Sequence, residues 1–232
     1  DKSLPPLEIY PKLKSPTRGY QEKALGIMFS NQRARSGIIV LPCGAGKTLV
    51  GILAVCTIKK NTMILCNSSL SVLQWYEEIN NWTKVNKCNV ARMTSKTKDP
   101  LWNFEKEGGI LIVSYFMMPY TGKREKESEE MINRITNTEW GLMILDEVQV
   151  VPAKMFKKII STVKSHCKLG LTATLVREDE KIKDLNYLIG PKHYEANWLD
   201  LQRDGYLARV KCVEILCEMS KEFYEEYLKN NK

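Results

Sequence analysis

Nowhere do the 232 residues hold the roughly 20 consecutive apolar residues that a helix needs to cross a bilayer, which excludes a helical membrane span. Histidine is scarce: only His166 and His193 occur, and neither stands in a metal-ligand spacing. The seven cysteines are odd in number and include no C-x-x-C pair. That excludes a disulfide framework and a zinc site, and it points to a reducing compartment. Cys56, Cys66, Cys212 and Cys217 sit in apolar runs and read as small core hydrophobes. No positive n-region followed by an apolar h-region opens the chain, so no signal peptide is expected. A chain that begins at Asp1 rather than Met reads as a piece of a longer protein.

What is there is ordinary for a globular chain. Hydrophobic residues make up 44% and charged residues 27%, enough to bury the core of one large domain or two small ones and to exclude disorder throughout. The net charge of +8 suits a polyanion partner and suits mere solubility equally well. Short apolar runs recur at Gly37–Leu41, Thr62–Cys66, Ile110–Ser114, Leu142–Leu145 and Lys168–Leu171. They are too short for helices and read as strands buried on both faces. Helical patterns lie between them at 47–60, 70–82 (with Leu70, Leu73, Ile79 and Trp82 as its apolar positions) and 153–165 (with Phe156, Ile159, Ile160 and Val163 on one face). Strand alternating with helix predicts an α/β fold with a mainly parallel sheet between helical layers.

Other stretches break the alternation. Residues 1–17 hold four prolines and predict an extended lead-in. Residues 121–137 carry mixed charge and read as a solvated helix or a loop. Residues 83–98, with five basic residues and no acidic one, read as a solvated loop or a phosphate-backbone contact. Val210–Cys217 predicts one more strand, and residues 221–229 an amphipathic helix.

Two elements carry chemistry. The apolar run Ile38–Leu41 leads straight into Pro42-Cys43-Gly44-Ala45-Gly46-Lys47-Thr48, and an apolar helical pattern follows. Strand, glycine loop, Lys-Thr and helix form the context of a phosphate-binding loop. Gly44 and Gly46 let backbone N–H groups turn toward phosphate oxygens at a helix N-terminus. Lys47 can reach the β and γ phosphates, and the Thr48 hydroxyl can ligate Mg²⁺. Leu41 stands where the strict pattern has its first glycine, so the match is to a looser version. The second element is the apolar run Leu142–Leu145 ending in Asp146-Glu147, roughly a hundred residues further on. Asp146 is placed to hold Mg²⁺ through water, and Glu147 to polarise the attacking water.

Together these motifs resemble the first RecA-like domain, a three-layer phosphate-loop NTPase, of a superfamily 2 helicase. More closely, the chain resembles the XPB family, the translocase subunit of the transcription and repair factor TFIIH. Arg18-Gly19-Tyr20-Gln21 resembles the adenine-recognition element, with Gln21 reading the base and Arg18 among the nucleotide-binding residues. Asn67, Ser68, Ser69, Ser71 and Gln74 fall in a motif that lies along the nucleic-acid strand, and Ser114-Tyr115 in another that contacts its backbone. Thr172-Ala173-Thr174 resembles the element coupling hydrolysis to DNA contact, and Arg177-Glu178-Asp179 the Arg-Glu-Asp signature of XPB proteins. Without its neighbours, Arg177–Glu180 would read as a charged surface turn. Val151–Phe156 is similar to the family as well. Gln149 stands where the family has His; an amide donates and accepts hydrogen bonds but carries no charge. It is expected to bridge the nucleotide site to Thr172 or a second domain, preserving ATP binding and altering coupling at most. For Trp75, core packing is favoured over stacking on a base.

The resemblance implies ATP and Mg²⁺ as cofactors, DNA and other TFIIH subunits as partners, and a nuclear location. It also implies 3′–5′ translocation in transcription initiation and nucleotide excision repair. The expected organisation is a lead-in (1–17), a first RecA-like ATP-binding domain (18–200) and a segment (201–232) leading toward a second such domain. By itself this stretch is expected to bind ATP weakly with little turnover, because the second domain supplies the arginines. Two alternatives are another superfamily 2 DNA motor and a nucleotide-regulated DNA-binding module.

Overall fold

A computed structural model describes residues 3–12, 16–100, 107–118, 126–151, 153–174, 182–217 and 219–230. The strands are β1 (Ile9–Pro11), β2 (Gly37–Val40), β3 (Thr62–Cys66), β4 (Thr83–Val85), β5 (Val90–Met93), β6 (Ile110–Ser114), β7 (Trp140–Asp146), β8 (Ser165–Thr172) and β9 (Lys192–Glu195). The helices are α1 (Gly19–Met28), α2 (Lys47–Ile58), α3 (Ser69–Trp82), α4 (Lys126–Asn137), α5 (Ala153–Thr162), α6 (Ile182–Leu188), α7 (Trp198–Arg203) and α8 (Lys221–Asn230).

Seven strands form one parallel sheet in the order β5-β6-β3-β7-β8-β2-β9. All five strands expected from the apolar runs are in it, and the α/β sandwich is as expected. Side chains alternate between its faces because successive Cβ atoms of a strand point opposite ways. Ile39, Ile64, Ile112, Ile144 and Leu169 pack under α1, α2 and α3. Ile38, Met63, Leu111, Met143 and Leu145 pack against Ile135 of α4, Phe156 and Ile159 of α5 and Leu185 of α6. Both faces are covered, which is why the strands read as unbroken apolar runs.

The path of the chain sets up the site. From β2 it crosses to β3, moves outward to β5 and β6, then returns to lay β7 and β8 between β3 and β2. Such a reversal opens a crevice at the carboxyl ends of the strands. The phosphate-loop strand β2 and the acidic strand β7 thus lie two strand spacings apart, about 9.5 Å, with β8 between them.

Several expectations are corrected. In α3 the buried stripe is Val72, Trp75 and Ile79, whereas Leu70 and Leu73 face solvent. Residues 83–98 are not one loop: they hold β4 and β5, and Arg92 pairs with Asp99 through Nε at 2.8 Å. In its described residues the lead-in is extended but also structural, because Leu4, Leu7 and Ile9 are buried and β1 pairs antiparallel with β4. Val210–Cys217 forms no strand; its residues are exposed, with no partner edge among the described residues. Cys212 and Cys217 are accordingly exposed rather than core, while Cys56 and Cys66 are buried as expected. No helix among the described residues is long and apolar enough to cross a membrane.

Candidate nucleotide-binding site

A cleft of about 760 Å³ opens at the carboxyl ends of β2, β3 and β7. Arg18, Gln21, Gly44, Gly46, Lys47, Thr48, Asn67, Ser71, Gln74, Asp146 and Glu147 line it, so residues from four separate stretches of sequence meet there.

The phosphate loop has the backbone its glycines predict. Gly44 (φ 78°) and Gly46 (φ 80°) are both left-handed, and Gly46 caps α2. The unpaired N–H groups of the first α2 turn face the cleft end, with the helix dipole behind them. Lys47 and Thr48 open that helix. Pro42, Cys43 and Ala45 complete the loop, and Ala45 is fixed from behind: its carbonyl accepts from Tyr20 Oη at 2.8 Å and Gln21 Nε2 at 3.2 Å. Gln21 is buried, and its Oε1 accepts from the Arg18 backbone N–H at 3.1 Å. The expected base reader thus also ties the start of α1 to the phosphate loop.

On the acidic side, Asp146 ends β7 and Glu147 follows in a left-handed conformation (φ 50°). That conformation costs a non-glycine residue about 1–3 kcal/mol, and such strain collects at functional sites. Glu147 Oε1 lies 3.5 Å from Lys47 Nζ, and its Oε2 accepts from Gln149 Nε2 at 2.7 Å. Gln149 Oε1 in turn accepts from the Thr172 hydroxyl, which is also in reach of the Thr174 carbonyl. A continuous polar chain therefore runs Lys47–Glu147–Gln149–Thr172, from the phosphate loop through the acidic motif to the end of β8. The expected bridge from Gln149 to Thr172 is present.

Asp146 is buried deeply enough that loss of water pushes its carboxyl above the usual carboxylate range. The Trp75 indole N–H and Lys47 pull it down, while Glu147 pushes it up. A desolvated carboxylate facing Thr48 across a cleft of oxygen donors is the setting a Mg²⁺ ion fits. Among the described residues, no cluster of three His, Cys, Asp or Glu side chains forms a metal cage. The phosphates and water would have to complete the shell, as Mg²⁺ ordinarily requires.

Trp75 is a residue whose role the sequence concealed. It is buried, as expected, but its Nε1–H donates to Asp146 Oδ2 at 2.9 Å. A neighbouring Tyr115 hydroxyl donates to the Asp146 carbonyl at 3.0 Å. Tyr115 is 1% exposed and Ser114 6%, so both of the residues expected to contact the nucleic-acid backbone are buried. Burial pushes the Tyr115 hydroxyl well above its usual value, with Asp146, Cys66 and Glu147 adding to it. Asn67, Ser71 and Gln74 lie on the cleft wall, where Ser71 Oγ donates to Asn67 Oδ1 at 2.9 Å; Ser68 caps α3 and Ser69 is exposed. Thr172 is fully buried, and Ala173 and Thr174 follow it at the end of β8. Arg177, Glu178, Asp179 and Pro152 lie outside the described residues.

Residues 14–177 match the family described as "Type III restriction enzyme, res subunit". The chain belongs to that family. Residues 201–232 match a second family, "ERCC3/RAD25/XPB C-terminal helicase". Across nearly its whole length the chain is similar to helicase/translocase subunits XPB of general transcription and DNA repair factor IIH. It is 55% identical to that of Dictyostelium discoideum over 98% of this chain and 28% of the relative. It is 58% identical to that of Antonospora locustae over 91% and 30%, and 53% identical to the Saccharomyces cerevisiae subunit over 99% and 27%. The resemblance to XPB proteins expected from the motifs is thereby borne out. The chain spans under a third of the length of these relatives.

Among solved structures, it resembles the UvsW helicase of bacteriophage T4 (TM-score 0.59, 19% identity, 81% of this chain and 64% of that one). It also resembles the Sulfolobus solfataricus SWI2/SNF2 ATPase core domain (TM-score 0.54, 22% identity, 76% and 35%). At these identities the likeness bears on the fold, and the fold is the RecA-like one.

Proposed function

We propose that this chain is the ATP-binding half of an ATP-dependent DNA translocase of the XPB type. The observation that carries the proposal is the polar chain Lys47–Glu147–Gln149–Thr172, which joins three strand ends across one cleft. Lys47 and the N-terminal N–H groups of α2 hold the β and γ phosphates; Thr48 and Asp146 are the residues that would hold a Mg²⁺ ion beside them. When bound, that ion neutralises the charge developing on the phosphoryl group. Glu147 orients the attacking water and accepts its proton, with Lys47 Nζ 3.5 Å from its carboxylate. Arg18 and Gln21 lie on the base side. Gln149 carries the state of Glu147 to Thr172, Ala173 and Thr174, and so to the DNA-facing residues.

Further proposals rest on the relatives. The substrate track is DNA, contacted mainly at phosphates through Asn67, Ser68, Ser69, Gln74 and the segment Arg177–Asp179, with strong salt dependence. The setting is a nuclear one within TFIIH, in promoter opening and excision repair, with 3′–5′ movement. A second RecA-like domain, entered through residues 201–232, supplies the arginines that complete the site. Without them turnover falls by about 10³–10⁵, so this chain alone binds nucleotide with little hydrolysis.

Fluorescent ADP titrated into the chain with Mg²⁺, beside Lys47→Ala, tests the nucleotide site. Saturable binding lost in the variant is the expected result. Equal binding by both proteins would refute the assignment of residues 42–48 as the phosphate loop.

A further inference from the structure

The turn that follows α7 reaches back to the nucleotide cleft. Gly205 (φ 77°) reverses the chain, and the N–H groups of Tyr206 and Leu207 both bond to the Leu201 carbonyl, at 2.8 and 3.2 Å. This local geometry brings two side chains against Arg18 and Gly44, which line the cleft. The Tyr206 ring lies under the Arg18 guanidinium, 5.2 Å from Cζ to centroid, and meets the Tyr20 ring edge-on at 5.4 Å. Arg18 Nη1 donates to the Tyr20 hydroxyl at 2.9 Å, and that hydroxyl bonds to the Ala45 carbonyl of the phosphate loop. Leu207 closes the arrangement: its Cδ2 lies 3.4 Å from where a side chain on Gly44 would begin.

We propose that Tyr206 and Leu207 are positioning residues of the nucleotide site, Tyr206 for the base side and Leu207 for the phosphate side. The inference rests on the nucleotide-binding reading of the cleft and adds to it two residues that no motif singles out. Tyr206 holds one face of Arg18 through cation–π attraction, and Tyr20 holds one of its N–H groups. Arg18 lines the cleft, so a purine entering beside Gln21 meets a planar cation already ordered by folding. Ordering completed before binding is not charged against affinity. Leu207 packs against the phosphate loop at Gly44. Both residues lie in the stretch that matches the C-terminal helicase family. The segment entering the second domain is therefore attached to the ATP site at its first turn, and exposed chain begins directly after it.

The test uses the full-length protein with two probes, fluorescent ADP and inorganic pyrophosphate as its competitor. Tyr206→Ala is expected to weaken ADP about fivefold and to leave pyrophosphate nearly unchanged. Tyr206→Phe should keep wild-type affinities, because the ring face is retained. Tyr206→Leu, which keeps apolar bulk without the π face, should lose ADP as Ala does and guards against a folding defect in the smaller variant. Leu207→Ala should weaken both probes in parallel. An unchanged ADP-to-pyrophosphate ratio in both Tyr206→Ala and Tyr206→Leu would overturn the proposal. Wild-type protein that binds neither probe would instead overturn the nucleotide site itself.

Discussion

Gly51→Ala sets two physical effects against each other within α2. Replacing glycine by alanine inside a helix ordinarily gains about 0.5–1 kcal/mol, because the unfolded chain loses freedom. Here a methyl group on Gly51 would sit 2.6 Å from Trp75 Cη2 and 3.1 Å from Leu171 Cδ1. Neither neighbour gives way easily. Both are buried, and Trp75 is anchored by its bond to the Asp146 carboxylate. Overpacking costs about 1–3 kcal/mol, and stretching a hydrogen bond to a charged group about as much again. The clash outweighs the helix gain, leaving a net loss of about 2 kcal/mol. For a chain of this size that lowers Tm by about 4–8 °C. Gly26→Ala is the internal comparison. Gly26 lies on the exposed side of α1 with nothing within 4 Å of the added carbon, so only the helix gain remains and Tm should rise by about 2 °C. Thermal and urea unfolding of the pair decide it. A Gly51→Ala variant as stable as the parent, or a Gly26→Ala variant that falls equally far, would refute the reasoning.

Two further outcomes are expected. Asp146 in the folded chain holds its proton more tightly than an unfolded carboxyl does, chiefly through burial. Its ionisation therefore opposes folding: the penalty is absent below the usual carboxylate range, grows as pH rises toward the elevated value, and is constant above it. Asp146→Asn should be more stable than the parent at pH 7 and no more stable at pH 3, and equal melting at pH 7 would contradict this. Of the seven thiols, Cys43, Cys88, Cys212 and Cys217 are exposed, and burial pushes Cys56 and Cys167 up to about 11. A native thiol titration at pH 8 should count four reactive groups, rising to seven in denaturant; a fast-reacting Cys56, Cys66 or Cys167 would show that the core opens.

The sheet was legible because its strands are buried on both faces, so apolar composition alone marks them at Thr62–Cys66 or Ile110–Ser114. The phosphate loop and the acidic pair were legible because each is local: Gly44 through Thr48 and Asp146-Glu147 need only their immediate flanks. Other features depend on distant partners. Val210–Cys217 has strand composition, but a strand exists only where an edge receives it. The bond between Trp75 and Asp146 spans 71 positions, and no pattern around either residue announces it. The α3 stripe was misread because Leu70 and Leu73 are apolar yet exposed, while the smaller Val72 is the residue that packs. Tyr206 is likewise silent in sequence; its meaning comes from Arg18 and Tyr20, brought beside it by the fold.

The Thr172 hydroxyl has a single proton and two carbonyl oxygens in reach, one on Gln149 and one on its own chain at Thr174. Only one acceptor can hold that proton fully at a time. While Glu147 fixes the Gln149 amide, its oxygen is turned toward Thr172 and competes for the proton. On the proposed reading of the cleft, a Glu147 carboxylate that turned to a water at the γ-phosphate would release the amide and leave the proton to Thr174. The end of β8 would then act as a two-position contact answering to the residue proposed as base.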